Sequence, residues 1–332
     1  MTRIFSGIKP TGHLTLGNYL GAVRRWVEVD QHGAEALFSV VDLHALTVEH
    51  DPGRVRRLSR QAATLLLAAG LDPKHCTLFV QSHVDEHARL SYLLECTATD
   101  GELRRMIQYK EKSVLARAAG EGVRLSLLTY PVLMAADILA YGADEVPVGE
   151  DQTQHVELTR DLAVRFNQRY GHTFTVPRAT SPKVAARVMD LQDPTSKMGK
   201  SHANGAGIVY LLDDAETVRR KIMRAVTDSG RDVEYDREGR PGVANLLDLM
   251  AAATGGNPEA LAGVYQSYGA LKKDTADAVV ELLRPLRERH AELAADQGHV
   301  DQVLRDGAER ARGVARPLVD RAYRAIGLLP AG

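Results

Sequence analysis

The sequence predicts an α/β domain with a parallel sheet, followed by a domain made of helices alone. Three observations support this prediction. Strand-like and helix-like segments alternate over the first quarter of the chain. The predicted strands are almost continuously apolar, as strands buried on both faces of a sheet must be. From about residue 213 onward, apolar residues recur at the period of a helix.

The first strands and helices follow one another in the order of βα units. Residues 2–8 have the pattern of a short strand, and residues 16–29 carry apolar residues at helical spacing. Residues 36–46 and 76–82 are apolar enough for buried strands, with a helical segment at 55–71 between them. Such units are right-handed and build a Rossmann-like parallel sheet. Nucleotides and other ligands bind beyond the carboxyl ends of its strands.

The middle and the end of the chain are predicted to be mostly helical. Residues 144–151 return to strand and loop, and residues 152–170 form a strong helical pattern. No internal repeat or low-complexity tract is visible. We predict a Rossmann-type nucleotide-binding domain at 1–202 with a helical insertion at about 90–128, a connector at 201–207, an all-helical domain at 203–320, and a helix end and tail at 321–332.

Composition narrows the class of protein. The 332 residues are 44% apolar, enough for a sizeable core, and the formal net charge is −1. A nucleic-acid contact must therefore be a local patch, since the chain has no global basic excess. The two cysteines, Cys76 and Cys96, are not paired with histidines at zinc-ligand spacing, which argues against a disulfide scaffold or structural zinc. The absence of a long apolar run and of a leader pattern predicts a soluble, cytoplasmic protein without a membrane segment.

A lysine-rich segment, "DLQDPTSKMGKS" at 190–201, has the chemistry of a phosphate site. Lys197 and Lys200 supply two cations, Gly199 a flexible backbone and Ser201 a hydroxyl. The segment is not a P-loop, because Pro194 stands where that motif needs its first glycine. The residues after the motif also lack a helical pattern, and a P-loop needs the helix N-terminus.

A second motif, "HVDEH" at His83–His87, matches a zinc-protease pattern. Two histidines four residues apart on one helix face could bind a metal ion. The third ligand that such a site requires is not apparent in the sequence. We therefore predict structural or surface histidines and no metal site.

Two loops that join a strand to a helix are candidate nucleotide contacts. In "KPTGHLTLGN", Gly17 allows a ribose or base close to the backbone, and Thr15 and Asn18 offer hydrogen bonds to phosphates. In "GEDQTQH", Asp151 and Gln152 could hold ribose hydroxyls or an ammonium group. Taken alone, the first loop could equally be a glycine-rich turn and the second a helix cap.

The segment "YPVLMAADI" places Tyr130, Met134 and Asp137 on one face of one helix. Together they would form an apolar slot with a single strong acceptor. A core stripe is the alternative, but it would bury Asp137 without a partner, which is costly. An N–H donor on a flat apolar ligand would satisfy this carboxylate.

These segments together resemble the class I tryptophanyl-tRNA synthetases. "GHLTLGN" resembles the family's variant of the HIGH signature, "KMGKS" its KMSKS loop, and "VPVGEDQTQHVELTRDLA" its GEDQ segment. The likeness extends over about residues 3–325, with "FSGIKPTG", "VVDLHALTV", "GELRRMIQYKEKS" and "LLTYPVLMAADIL" in the family's order. The related tyrosyl enzymes carry Y-x-x-x-Q-x-x-D on the equivalent helix. Met134 stands in place of that glutamine, which favours an indole over a phenol.

The resemblance implies a two-step reaction in which tryptophan is activated by Mg-ATP and the acyl group passes to tRNA(Trp). It also implies a homodimer and a helical domain that binds the tRNA anticodon, where Arg284, Arg287, Arg310 and Arg312 are either phosphate contacts or solvated. Catalysis would depend on Lys197, Lys200, Lys112, Thr15 and Asn18. ATP would contact Lys9, Pro10, Thr11, Gly17, Asn18, Gly149, Glu150, Asp151, Val188, Lys197, Met198, Gly199, Lys200 and Ser201. Tryptophan would contact Phe5, His44, Tyr130, Met134, Asp137, Val146, Val148 and Gln152.

Departures from the family pattern raise two hypotheses. Gly199 replaces the usual serine of the lysine loop, which predicts a changed ATP-dependent step. Lys9 stands where glutamine is common, and its extra ammonium group would disfavour uncharged tryptophan analogues as inhibitors. His13, inside the first signature, has no interpretation from sequence. A synthetase-like regulator that binds tryptophan without charging tRNA is the alternative function.

Overall fold

The sheet is parallel throughout, as predicted. The computed structural model describes residues 2–30, 34–180, 188–199 and 205–329, and leaves the side chains of Val29, Asp30 and Glu150 undescribed. Within these residues, five strands lie in the order β3-β2-β1-β4-β5, and every neighbouring pair is parallel. The strands are β1 (Arg3–Ile8), β2 (Glu35–Val40), β3 (Cys76–Val80), β4 (Glu145–Pro147) and β5 (Arg178–Thr180).

Helices connect the strands and form the last third of the chain, which confirms the predicted fold class. The described residues from 205 onward contain helices and connecting segments and no strand of the sheet. The helices are α1 (Leu16–Asn18), α2 (Arg24–Asp30), α3 (Pro52–Ala68), α4 (Glu86–Glu95), α5 (Asp100–Arg105), α6 (Ile107–Ala118), α7 (Leu125–Leu139), α8 (Thr153–Tyr170), α9 (Ala215–Met223), α10 (Pro241–Thr254), α11 (Pro258–Ala262), α12 (Tyr268–Ala295) and α13 (Gln297–Ala325).

Two strands are shorter than the sequence predicted. β2 ends at Val40 and is followed by a 3₁₀ turn at Leu43–Thr47, while β3 ends at Val80 and is followed by a 3₁₀ turn at Gln81–His83. The apolar run continues past each strand, so it does not mark where pairing stops. The backbone N–H of Leu43 donates to Gln81 Oε1 at 3.0 Å, which ties the two turns together. His44 and Gln81 are thereby held at the carboxyl edge of the sheet.

The C-terminal helices share the core of the sheet. One hydrophobic cluster joins Phe38 and Leu78 of the sheet to Val279 of α12, and α13 lies across the edge strand β3. A Cβ atom at Gly307 would overlap the carbonyl oxygen of Leu78, so only glycine allows this approach. The helix covers a sheet edge that would otherwise be open to pairing. The domain boundary at 202–203 falls among residues outside the description and stays a prediction.

Candidate active site

One cavity opens between β1 and β4, where the strand order of the sheet reverses. It has a volume of about 350 Å³. Crevices at such a reversal are the usual ligand sites of open parallel sheets. The eight residues predicted to hold tryptophan all line this cavity: Phe5, His44, Tyr130, Met134, Asp137, Val146, Val148 and Gln152.

Asp137 is the most buried polar group of this cavity, with 1% of its surface exposed. The prediction that it lacks a protein partner is wrong. Its Oδ1 accepts hydrogen bonds from Gln81 Nε2 at 2.7 Å and His87 Nδ1 at 2.6 Å, and its Oδ2 lies 2.8 Å from His44 Nε2. Burial raises the pKa of Asp137, but the hydrogen bonds from His44 and His87 outweigh it and lower the pKa to about 2.

Sequence reasoning missed Gln81 and gave His87 no role in the cavity. His87 is fully buried, and its Nε2 lies 2.7 Å from the hydroxyl of Tyr141. This confirms that His87 is a structural histidine. No group of three metal-binding side chains occurs within the described ranges. The "HVDEH" pattern revealed the histidine, whereas nothing in the sequence marked Gln81.

A second network of hydrogen-bonded side chains lies beside the cavity, around Tyr130. The Tyr130 hydroxyl lies 2.8 Å from His155 Nε2 and 3.1 Å from Gln108 Oε1. Lys112 Nζ donates to the same Gln108 oxygen at 2.9 Å. Burial and the nearby charge of Lys112 lower the pKa of His155 to about 4, so this imidazole is neutral near pH 7. Burial also raises the pKa of Tyr130, which keeps its phenol protonated.

The predicted phosphate loop lies against the lysine segment. Thr15 caps α1: its Oγ1 accepts from the Asn18 N–H at 3.2 Å, and Asn18 Oδ1 accepts from the Thr15 N–H at 3.1 Å. A Cβ at Gly17 would stand 3.1 Å from the carbonyl oxygen of Met198. Thr15 is fully buried and its hydroxyl serves the cap, while its contact with phosphate stays a prediction.

The lysine segment is a hairpin-like loop whose ends are fixed. Met189 and Lys197 form an antiparallel bridge, and the N–H of Met198 donates to the carbonyl of Val188 at 3.0 Å. The Met198 side chain is buried in the core, which anchors the loop while Lys197 stays exposed. Gly199 is the last described residue of the loop. Lys200 and Ser201 lie outside the described residues.

Two lysines line the cavity. Lys9 and Lys112 both line it, and Lys9 Nζ donates to Thr47 Oγ1 at 3.0 Å. Burial, and then repulsion from Lys112, lowers the pKa of Lys9 to about 8. Desolvation also lowers the pKa of Lys112, although Asp151 and Glu111 oppose this shift. Both ammonium groups are thus placed where an anion would stabilise their charge.

The remaining nucleotide candidates divide into two groups. Gly149 lines the cavity, whereas Pro10 and Thr11 are outside its lining. Asp151 Oδ2 accepts from Gln152 Nε2 at 2.9 Å, so this amide is shared between Asp151 and the cavity.

His13, which the sequence left unexplained, bonds to Gln61, with 2.7 Å between His13 Nδ1 and Gln61 Oε1.

The four candidate arginines of the helical part make contacts within the chain. Arg310 donates to the carbonyl of Pro73, and Arg312 to that of His83, so both fasten α13 to the sheet. Arg287 donates to the carbonyl of Asp213, and Arg284 pairs with glutamates of its own helix. None of the helices described is long and apolar enough to cross a bilayer.

The class of protein follows from a parallel sheet with a cavity at its strand reversal, lined by the residues predicted to hold tryptophan. The family model described as tRNA synthetases class I (W and Y) matches residues 1–284. The chain belongs to this family of class I aminoacyl-tRNA synthetases for tryptophan and tyrosine.

Three similar proteins carry tryptophan in their names. The chain is 80% identical to tryptophan–tRNA ligase 1 of Streptomyces avermitilis, over all of both chains. The crystal structure of tryptophanyl-tRNA synthetase from Mycoplasma pneumoniae superposes with a TM-score of 0.92 at 36% identity, over 99% of this chain and 98% of that one. The Campylobacter jejuni enzyme, complexed with ADP and tryptophan, gives a TM-score of 0.84 at 31% identity, over 98% and 100%.

Proposed function

We propose that the chain attaches L-tryptophan to tRNA(Trp) through a tryptophanyl-adenylate. The tryptophan carboxylate attacks the α-phosphorus of ATP and pyrophosphate leaves. The 2′-hydroxyl of the terminal tRNA adenosine then attacks the acyl carbon, loses its proton and releases AMP. One observation carries the proposal: the cavity at the strand reversal is lined both by the predicted amino-acid slot and by Lys9 and Lys112.

The amino-acid slot fits an indole better than a phenol. Tyr130 and Met134 line it with an aromatic ring and a thioether, and Asp137 is the acceptor at its base. We propose that Asp137 Oδ2 accepts the indole N–H, because His44 uses only part of that oxygen's capacity. A phenol O–H could also donate to Asp137, but Met134 offers no donor, so the phenol oxygen would be left one partner short. Tyrosine should therefore be rejected.

The phosphate side works by positioning and charge. Lys9 and Lys112 line the cavity with ammonium groups, and Lys197 stands exposed on the adjacent loop. We assign Lys197 and Lys200 to the leaving pyrophosphate, and Lys112 and the Nδ2 group of Asn18 to the other phosphate oxygens. Preorganised charges of this kind stabilise the transition state. Mg²⁺ would be bound to the triphosphate of ATP, as is common in nucleotide enzymes. Gly17, Gly149, Glu150, Asp151 and Val188 would then bound the adenosine.

Exchange of labelled pyrophosphate into ATP tests the proposed activity. Tryptophan should drive this exchange, and tyrosine should drive it at least about 10³-fold less efficiently, because a buried unpaired hydroxyl is costly. A protein that binds tryptophan without exchange would support the alternative of a regulator. Exchange driven by tyrosine would refute the assignment of the substrate.

The homodimer is supported by an apolar surface on the helical insertion. Leu115 and Val48 border one groove together with Lys112, so the surface adjoins the active site. Large apolar side chains are exposed here, which marks interaction surfaces. They are Tyr92, Ile107, Val114, Leu115 and Leu125 of the insertion, together with Leu46 and Val48 of the segment that follows β2.

Sedimentation velocity tests the dimer. The double variant Leu115→Glu with Leu125→Glu should sediment as a monomer, because two carboxylates would be buried at the interface. Val264→Glu is the matched control, since Val264 is as exposed as Leu115 but lies on the helical part. A double variant that stays dimeric would refute this interface.

We also propose that the protein is cytoplasmic and that residues 203–320 bind the anticodon of the tRNA.

Two departures from the family pattern stay hypotheses of this proposal. Gly199→Ser should change the rate of adenylation, and an identical pre-steady-state rate would refute the hypothesis. Lys9→Gln should strengthen inhibition by uncharged tryptophan analogues, because it removes an ammonium group from the cavity. Unchanged inhibition constants would refute this second hypothesis.

A further inference from the structure

The hydrogen-bond capacity of Asp137 is almost fully used. A carboxylate accepts about four hydrogen bonds, two at each oxygen. Gln81 and His87 occupy both positions of Oδ1, and His44 occupies one position of Oδ2. A single acceptor position therefore remains on Oδ2, in a side chain that lines the cavity.

The two donors to Oδ1 are themselves oriented by buried partners. Gln81 Oε1 accepts the backbone N–H of Leu43, so its amide cannot flip without losing that bond. The Tyr141 hydroxyl lies 2.7 Å from His87 Nε2. A tyrosine O–H that donates to Nε2 leaves the His87 proton on Nδ1, where it faces Asp137. Gln81, His87 and Tyr141 are all fully buried.

We propose that Gln81 and His87 are positioning residues for substrate selection. By saturating Oδ1, they fix the carboxylate plane, and because His44 takes one position of Oδ2, a single acceptor position remains for a ring N–H. Neither residue lines the cavity, so both act through Asp137. The inference rests on the proposed function, because it assigns the open position to the indole of tryptophan.

The test compares tryptophan with β-(3-benzothienyl)alanine, in which sulfur replaces the ring N–H at nearly the same shape. The measured quantity is the ratio of their kcat/KM values in pyrophosphate exchange. His87→Leu should lower this selectivity about tenfold, because the carboxylate is no longer held. His87→Asn should restore most of it, since the Asn amide can place an N–H near the position of His87 Nδ1.

Two further variants keep the test decisive if His87→Leu does not fold. Tyr141→Phe keeps the ring that stacks on Phe5 but removes the hydroxyl, and should lower selectivity about threefold. Val279→Ala, in the core at α12, should lower stability without changing selectivity. If folded His87 and Tyr141 variants lose activity equally toward both substrates, the positioning role is refuted while the proposed function stands. If the wild-type protein does not activate tryptophan, the proposed function fails first.

Discussion

The predicted amino-acid side of the cavity and the predicted phosphate side, with the lysine loop beside it, hold their polar groups in different ways. Asp137 is buried and receives hydrogen bonds from three side chains, each 2.6 to 2.8 Å long. Lys197 is exposed on a loop, and Lys9 is only half-buried. The first side is preorganised by the protein itself. The second side supplies positive charge that a ligand must complete.

The pKa shifts show the same contrast. Hydrogen bonds from His44 and His87 outweigh burial and lower the pKa of Asp137 to about 2, so its charge is stabilised before any ligand arrives. Burial and a neighbouring lysine lower the pKa of Lys9 to about 8, so its charge is destabilised. A bound polyanion would reverse that effect. Under the proposed function, the protein itself therefore prepares the site for the amino acid, whereas recognition of phosphate depends on the nucleotide.

Asp137→Asn should give the largest effect, because it attacks the preorganised side directly. The amide keeps the shape but turns one acceptor into a donor, which faces Gln81, His87 or His44. We expect kcat/KM for tryptophan in pyrophosphate exchange to fall by about 10³-fold. Binding of ATP, measured by equilibrium dialysis, should change little. A loss below tenfold would contradict the role of Asp137.

Lys197→Ala tests the phosphate side. The adenylation rate constant should fall about 10²-fold, because one charge on the leaving pyrophosphate is lost. The dissociation constant of tryptophan should stay the same, since Lys197 lies outside the lining of the cavity. Lys273→Ala, at an exposed lysine of α12, is the charge-matched control. Equal rates for both variants would show that Lys197 has no part in the step.

Gly17→Ala should have a moderate effect, because it disturbs the contact between the loop after β1 and the lysine segment. The added Cβ would stand 3.1 Å from the carbonyl oxygen of Met198 and push the lysine loop by a few tenths of an ångström. We expect about fivefold slower adenylation with unchanged tryptophan binding. Gly21→Ala is the matched control, because its Cβ would meet nothing within 4 Å. Similar rates for both variants would mean that the loop contact is not needed.

Lys9→Gln should have the smallest effect of the four variants, and we expect it in the free energy of unfolding. The folded-state pKa of about 8 lies below the ordinary value of 10.5, so burial of the charged lysine destabilises the fold below pH 8. The destabilisation is relieved as the pH rises from 8 toward 10.5. At pH 7 the variant should be more stable by on the order of 1 kcal/mol, and less so at pH 9.5.

Urea unfolding at the two pH values measures this difference. Lys273→Gln removes an exposed lysine and serves as the control, with no pH-dependent gain expected. If the gain of Lys9→Gln grows toward pH 9.5, the assigned direction of the shift is wrong.

The sequence by itself determined the local structure and the contents of the slot. Helical and strand periods are local, so β1, α3 and α8 were predictable from their own residues. One part of the slot was predictable from its own residues, because one helix face brings Tyr130, Met134 and Asp137 together. Its other residues were predicted from the family resemblance.

Only the tertiary structure decided how these segments meet. Gln81 and His87 reach Asp137 across 56 and 50 residues of chain, and Thr15 reaches Met198 across 183. Strand ends, such as that of β2 at Val40, also depend on pairing with a neighbour. Contacts of this kind follow from packing between distant segments, which no local period encodes. For this reason the sequence revealed a carboxylate in a slot, and only the fold revealed what holds it there.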